Sequence, residues 1–120
     1  MAESSIYHMC RRVEWDAAQA SGFYRGSSQD QADGFIHFST ASQLPGSARK
    51  HRTGQPDLML LTVDARRLGA ALRWEPARGG ELLPHLYGPL PLTAVRRADP
   101  LPLDAGGEHV FPPHVEAGGP

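Results

Sequence analysis

The stretch DLMLLTVDA, from Asp57 to Ala65, is the strongest strand signal in the chain. It is a nearly continuous apolar run, and its length suits a strand at the centre of a sheet. The residues from Asp64 to Gly69 then predict a short turn. We therefore expect the fold to be built around this strand.

Shorter elements are predicted on both sides of it. SIYHM, residues 5–9, predicts a strand, and the residues that follow predict a helix that ends at Gly22. Thr40 or Ser42 can cap a second helix that extends to about His51. Further strands are expected in ALRWE and in AVRRADPLPL, the second of them at a sheet edge.

Two segments are predicted to be irregular. FYRGSSQDQADG, residues 23–34, is rich in turn-forming residues and predicts a polar loop that leads into FIHFST. ELLPHLYGPLPL, residues 81–92, contains Pro84, Pro89 and Pro91, which argue against both a regular helix and a fully paired central strand. We expect this second segment to be ordered, non-helical and placed across the mouth of a cleft.

Strands that do not alternate regularly with long helices favour an α+β fold. The expected architecture has small, mostly antiparallel split β-sheets with two flanking helices. A chain of 120 residues fits one domain, expected at residues 1–104. Residues 105–120 are rich in Gly and Pro and predict a loosely held C-terminal tail.

Composition narrows the class of protein. A net charge of −1 argues against binding long nucleic acid or an anionic membrane, so an anionic ligand would need a local cluster of cations. The single cysteine, Cys10, excludes an internal disulfide and fits a reducing compartment. Lys50 is the only lysine, and Gly and Ala are abundant, a usage typical of a GC-rich bacterial genome. With no leader-like start and no apolar run of about 20 residues, we expect a cytoplasmic protein that is monomeric or a small homo-oligomer.

Histidines are the main candidates for chemistry. Three of the six, His8, His37 and His85, lie inside apolar strand-like runs, where an imidazole must find a hydrogen-bond partner. On a strand, His37 shares one face with Phe35 and Ser39, and that face meets either solvent or a ligand pocket. His37 and His85 are candidates for a catalytic general acid and base.

Carboxylates and aromatic residues near His85 add to this group. Glu75 and Glu81 flank a glycine turn and could act as a paired acid and base, with Glu81 the candidate nearer His85 in sequence. Trp74 and Tyr87 could wall a pocket for a flat ring. A proline between Glu81 and His85 disrupts the helical face that a metal-ligand pair would need, so no metal is expected.

The chain resembles the uncharacterised domain-of-unknown-function family 952 over nearly its full length. The segments that carry the resemblance, in this order, are IYHM, EW, DGFIHFST, DLMLLTVD, LRWEPARGGELLPHLYGPLPL and HVF. That family is grouped by fold similarity with the ADP-ribosyltransferase superfamily. The resemblance therefore implies an ADP-ribosyltransferase-like fold.

Within that superfamily, IYH and FIHFS resemble the two histidine motifs of the RNA 2′-phosphotransferase branch. This resemblance implies that His8 contacts a ribose of NAD and that His37 lies on the nicotinamide side, with Ser39 on the same face. Glu81 and His85 are candidates for the third motif position. After His8 the chain has MCRR, where the branch has the small residues Gly-Thr or Gly-Ser.

Three functions follow as hypotheses. The resemblance implies a transferase that moves an ADP-ribosyl or phosphoryl group, with NAD as cofactor and a small molecule or nucleotide as ligand. Tyr87, as an aromatic residue beside His85, is a further candidate at the margin of the cofactor site. A cofactor-free enzyme with isomerase-like or cyclase-like acid–base chemistry is a second hypothesis. The third is a binding module that holds a metabolite or a peptide in the same cleft.

Overall fold

Strand β4, Leu58–Asp64, is the central strand of an antiparallel sheet ordered β1–β4–β8. Strand β1 is Ser5–Arg11 and strand β8 is Val95–Leu101. In the computed structural model, which describes residues 4–77 and 79–117, all seven residues of β4 are buried. The predictions of a central strand here and of an edge strand at β8 are both confirmed.

The two faces of β4 supply two different hydrophobic clusters. Met59, Leu61 and Val63 belong to one cluster, whereas Leu58 and Leu60 belong to another. Successive residues of a strand point to opposite faces, so an uninterrupted apolar run is required where both faces are covered. Helix α1 covers the first face, and helices α3 and α4 cover the second.

Four helices are present in the described ranges, where two flanking helices were predicted. Helix α1 is Arg12–Ser21 and stops at Gly22, whose φ of +89° is the left-handed conformation that glycine adopts without strain. Helix α3 is Leu44–His51, with Pro45 in its first turn. Helices α2, Ser28–Asp33, and α4, Pro113–Ala117, were not predicted. In the described part of the chain, no helix is long and apolar enough to cross a membrane.

Helix α2 lies in the segment that was predicted to be a polar loop. Its start is fixed by a capping box, in which the Ser27 hydroxyl accepts a hydrogen bond from Asp30 N and the Asp30 carboxylate accepts one from Ser27 N at 2.8 Å. This reciprocal pair offsets a low intrinsic helix propensity. The expectation of an irregular loop over residues 23–34 was therefore wrong at residues 28–33, and also at residues 23–24, which form a short strand.

Two smaller sheets complete the fold. Strand β2, Phe23–Tyr24, pairs with β7, Leu90–Pro91. Strands β3, Ile36–His37, β6, Leu82–Leu86, and β5, Leu72–Pro76, form an antiparallel sheet ordered β3–β6–β5. The three separate antiparallel sheets agree with the predicted α+β class.

Strand β6 is a regular strand at the centre of its sheet and contains Pro84, where the sequence predicted an irregular segment. It is not fully paired on both sides, in agreement with the expectation from its prolines. It is non-helical, as expected. Strand β3 pairs only with His85 and Leu86, so Pro84 lies just beyond the end of that ladder. The Pro84 carbonyl still accepts a hydrogen bond from Phe38 N at 3.0 Å. A proline is tolerated in a central strand when one neighbouring strand is this short.

The first and third sheets are joined at one point. Tyr7 N donates to Ser39 O and Ser39 N donates to Tyr7 O, each at 2.8 Å. This bridge places the segment that follows β3 beside β1. As a result, His8 and His37 come close together although they are 29 residues apart in sequence.

The described part of the segment at residues 105–120 packs against the central sheet. Val115 is buried in the cluster that contains Leu58 and Leu60, and Phe111 packs against the same cluster. His114 Nε2 lies 3.1 Å from Thr62 Oγ1. The expected loose attachment therefore does not hold for these residues, and residues 118–120 lie outside the described ranges.

Candidate functional site

A broad cleft of about 1160 Å³ gathers most of the predicted site residues. Its lining comes from β1, from α2 and the residue before it, from β3 and the residues that follow it, from α3, and from β6 and the turn before it. Among the predicted residues it includes His8, His37, Ser39, Glu81 and His85. Tyr87 does not line the cleft.

Asp30, in the first turn of α2, is the buried charge of this site. Its side chain is 4% exposed, and its carboxylate accepts hydrogen bonds from His37 Nδ1 at 2.6 Å, from His37 N at 3.1 Å and from Ser27 N at 2.8 Å. Burial opposes ionisation, but the hydrogen bonds from His37 and from Ser27 N outweigh it and lower the Asp30 pKa to about 2. The carboxylate is therefore ionised at neutral pH.

His37 stands on the surface of the cleft, held by that carboxylate. Its side chain is 40% exposed. Its Nδ1–H donates to Asp30, and its Nε2 lies 3.1 Å from Asp33 Oδ2. The hydrogen bond to Asp30 raises the His37 pKa in spite of partial burial. His37 is thus an oriented imidazole that retains its second proton more readily than a free histidine.

His8 has a different character, because it is only 4% exposed and both ring nitrogens contact protein groups. Its Nδ1 lies 2.6 Å from His37 O and must donate there, since a carbonyl only accepts. Burial lowers the His8 pKa, so the ring is neutral and Nε2 accepts a hydrogen bond from Tyr24 Oη at 2.7 Å. His8 therefore connects β1, β2 and β3.

A second imidazole–carboxylate pair lies on the β5–β6 hairpin. His85 Nδ1 lies 2.7 Å from Glu75 Oε1, and Tyr87 Oη donates to the same oxygen at 2.7 Å. The hydrogen bonds from Tyr87 and His85 lower the Glu75 pKa. The contact partner of His85 is thus Glu75 and not Glu81. Glu81 lines the cleft, but its carboxylate makes no hydrogen bond to any residue in the described ranges.

The two pairs are neighbours. His37 and His85 are register partners on β3 and β6, and their ring centroids are 5.5 Å apart in an edge-to-face arrangement. The Phe35 ring contacts both, at 4.5 Å from His37 and 4.1 Å from His85. Each imidazole is therefore fixed by its own carboxylate and by a shared aromatic ring.

The sequence analysis missed one carboxylate of this site, Asp30, and identified the other, Glu75, without its partner. Asp30 was hidden in a segment predicted to be a loop, although the spacing Ser27-Ser-Gln-Asp30 matches a capping box and could have indicated it. Glu75 was a candidate acid–base residue, but its contact with His85 depends on the register of β5 and β6.

The two other kinds of chemistry considered from the sequence, a metal site and a cysteine nucleophile, are not supported by the positions of the side chains. Within residues 4–77 and 79–117, no group of three or more His, Cys, Asp or Glu side chains could hold a metal ion. Cys10 is buried, and burial raises the pKa of its thiol to about 12. A thiolate nucleophile is therefore not available at this position at neutral pH.

Comparisons with other proteins identify one family model and similar solved structures. Residues 9–98 match the family described as "Protein of unknown function (DUF952)". The crystal structure of protein CC0527 from Caulobacter crescentus is similar, with 46% identity over 94% of this chain and 99% of that one and a TM-score of 0.90. The solution NMR structure of CC0527 gives 49% identity over 87% and 90% of the two chains and a TM-score of 0.77. A comparison with curated proteins found no match.

Proposed function

The chain belongs to the DUF952 family, and from that premise we propose that it is a small-molecule enzyme that uses His37 and His85 as an acid–base pair. Asp30 and Glu75 orient the two imidazoles. One observation carries the proposal: two imidazoles on one cleft wall, each bonded to its own carboxylate, have ring centroids 5.5 Å apart. An isolated framework histidine needs no such arrangement.

The two histidines suit opposite proton transfers. Because Asp30 raises its pKa, His37 suits the general acid. His85 Nδ1 must donate to the Glu75 carboxylate, which leaves the lone pair of a neutral ring on Nε2. No residue in the described ranges forms a hydrogen bond with that nitrogen, so it suits the general base.

The reaction class follows from this balance of protons. His85 takes a proton from one atom of the substrate, and His37 gives a proton to another. The net reaction leaves the proton count of the substrate unchanged, as in an isomerisation or the closing of a ring. Ser39 and Glu81 line the same cleft and are candidates for contacts with the substrate.

Deuterium incorporation tests this proposal and does not require that the product be identified. A panel of nucleotides and phosphorylated small molecules is incubated with the protein in deuterium oxide, and conversion or exchange is followed by NMR. We expect one or more compounds to react with wild type and to slow at least about 100-fold with His37→Asn or His85→Asn, the scale of acid–base catalysis.

His109→Asn is the matched control, because His109 does not line this cleft and its ring bonds to a backbone carbonyl, Gln55 O. It should react like wild type. Equal reaction by wild type and both catalytic variants would refute the acid–base pair. Ligand binding without exchange or conversion would support the binding module instead.

NAD-dependent transfer is the second candidate function, favoured by the size of the cleft. About 1160 Å³ exceeds the volume of roughly 300–1,000 Å³ that is usual for small-molecule sites. NAD, when bound, would supply an activated ribose. The ADP-ribosyltransferase-like fold rests on the family resemblance. Tyr87, which was predicted as a cofactor contact because its ring could wall a pocket, does not line the cleft.

The fit to NAD is poorer at His8. Both of its ring nitrogens bond inside the protein, so contact with a ribose would require loss of the bond to Tyr24 or to His37 O. The next residues, Met9 and Cys10, are buried and larger than the small residues of the phosphotransferase branch. Calorimetry with millimolar NAD decides the matter, since absence of binding heat and of a thermal shift would exclude this function.

A further inference from the structure

We propose that the substrate carries a phosphate or pyrophosphate group and that Arg49 and Lys50 of α3 hold it. This inference rests on the proposed function, because it names the class of substrate for the same cleft. Both side chains are exposed and both line the cleft that contains His37 and His85.

The first observation is that these two cations are not neutralised. Among the described side chains of residues 4–77 and 79–115, no carboxylate lies within ion-pair distance of either one. Most other arginines are paired: Arg12 lies 2.8 Å from Asp57, Arg66 lies 3.1 Å from Asp64, and Arg97 lies 3.0 Å from Asp99. Adjacent unpaired cations in a cleft attract an anion.

The second observation is that positive charge extends along this wall. Arg52 also lines the cleft, and it donates hydrogen bonds to Met9 O and Gln55 rather than to a carboxylate. His51 lies among these cations, and its pKa is lowered by burial and by the charges of Lys50, His37 and Arg52. Carboxylates also line the cleft, at Glu14, Asp30, Asp33 and Glu81, so the positive charge is confined to the wall that α3 and Arg52 form.

The chemistry of the two side chains indicates the class of anion. A guanidinium group matches two phosphate oxygens with a fixed fork of donors, and an ammonium group adds a compact charge. An anchor of this kind also serves catalysis, because binding energy from a non-reacting group positions the reacting atoms. The anchored phosphate would hold the rest of the substrate against His37 and His85.

Cations in the last turn of a helix also stabilise its dipole, and the experiment separates this role from ligand binding. Inorganic pyrophosphate is titrated into ¹⁵N-labelled wild type and into the double variant Arg49→Gln/Lys50→Gln. Each titration is run at about 50 and 200 mM salt, because contacts with phosphate weaken as ionic strength rises. Amide shifts give the affinity and the location of the bound anion.

We expect shifts in α3 and β3, weaker affinity at higher salt, and at least a tenfold loss in the double variant. Arg25→Gln is the control, because Arg25 is exposed, lacks a carboxylate partner among the described residues and does not line the cleft. It should bind like wild type. A double variant that unfolds more easily but binds pyrophosphate equally well, or wild type that does not bind it, would overturn the proposal.

Failure of the anchor and failure of the proposed catalysis give different results. The His85→Asn variant should bind pyrophosphate within about twofold of wild type while losing deuterium exchange. Exchange that depends on His85 with uncharged compounds, together with no binding of pyrophosphate, would leave the catalytic proposal standing and refute the phosphate anchor. Pyrophosphate binding that depends on Arg49 and Lys50, together with deuterium exchange that is independent of His85, would support the phosphate anchor and refute the catalytic proposal.

Discussion

Replacing Asp30 by asparagine should reduce both the stability of the protein and the basicity of His37. The variant keeps the size of the side chain but replaces the charged carboxylate, which accepts three hydrogen bonds, with a neutral amide. A carboxyl pKa lowered from 3.8 to about 2 corresponds to about 2 kcal/mol in favour of the folded, ionised state at neutral pH. An amide nitrogen facing Ser27 N–H would leave one donor unsatisfied, so we expect a total loss of about 2–3 kcal/mol.

The pH dependence of this loss has a defined sign. The Asp30 pKa is lower in the folded state, so its contribution is complete above the unfolded value and disappears as pH falls through about 2. The His37 pKa is higher in the folded state, so its contribution is complete below the unfolded value of 6.5 and disappears as pH rises through the folded value. The difference between wild type and Asp30→Asn should therefore be largest between about pH 4 and 6.5.

Urea unfolding followed by circular dichroism measures this difference, and a loss of 2–3 kcal/mol shifts the midpoint by about 1–2 M. Asp33→Asn is the matched control, because Asp33 also contacts His37 but its side chain is 38% exposed. An exposed pair of this kind contributes less than about 1 kcal/mol. The reasoning fails if both variants lose the same stability at pH 5.5, or if the effect of Asp30→Asn grows as pH falls from 5 to 3.

Three further outcomes are expected. Leu60→Ala removes a fully buried side chain of the central strand and should cost about 2–5 kcal/mol in urea unfolding, and a loss below about 1 kcal/mol would contradict the double-sided core. Gly26→Ala should lower the melting temperature more than Gly22→Ala, although both glycines have φ near +90°. An alanine Cβ at residue 26 would lie 2.7 Å from Asp30 Cβ, whereas one at residue 22 would contact nothing within 4 Å, and equal shifts would argue against this packing. Cys10 should resist a thiol reagent at pH 8 until urea is added, and rapid labelling of the folded protein would show that the thiol is accessible.

The features that could be predicted from the sequence are those with strong local signals. The uninterrupted apolar run at residues 58–61 places apolar side chains on both faces of the strand, so a position buried on both sides satisfies it. Gly22 ends helix α1 because its left-handed conformation is readily adopted only by glycine. His37 and His85 were identifiable because an imidazole inside an apolar run needs a partner.

The features that could not be predicted depend on which segments meet in space. Glu75 reaches His85 only because β5 and β6 pair in one register, and a shift of one residue would turn it to the other face. Pro84 is acceptable in a central strand only because β3 is two residues long. Val115 is buried although its surroundings in sequence are rich in Gly and Pro, because the sheet presents it with an apolar surface.

The contrast between strand β3, which has only two paired residues, and strand β4, which is covered on both faces, implies very uneven protection against amide hydrogen exchange. The backbone of β4 bonds to strands on both sides, and its amide protons should exchange only when the whole protein unfolds. By contrast, His37 N bonds to the carboxylate of Asp30, and a local opening of β3 would release it. Opening of this kind would let the cleft wall that carries His37 and His85 adjust to a ligand while the central sheet stays intact. The adjustment would be much faster than global unfolding.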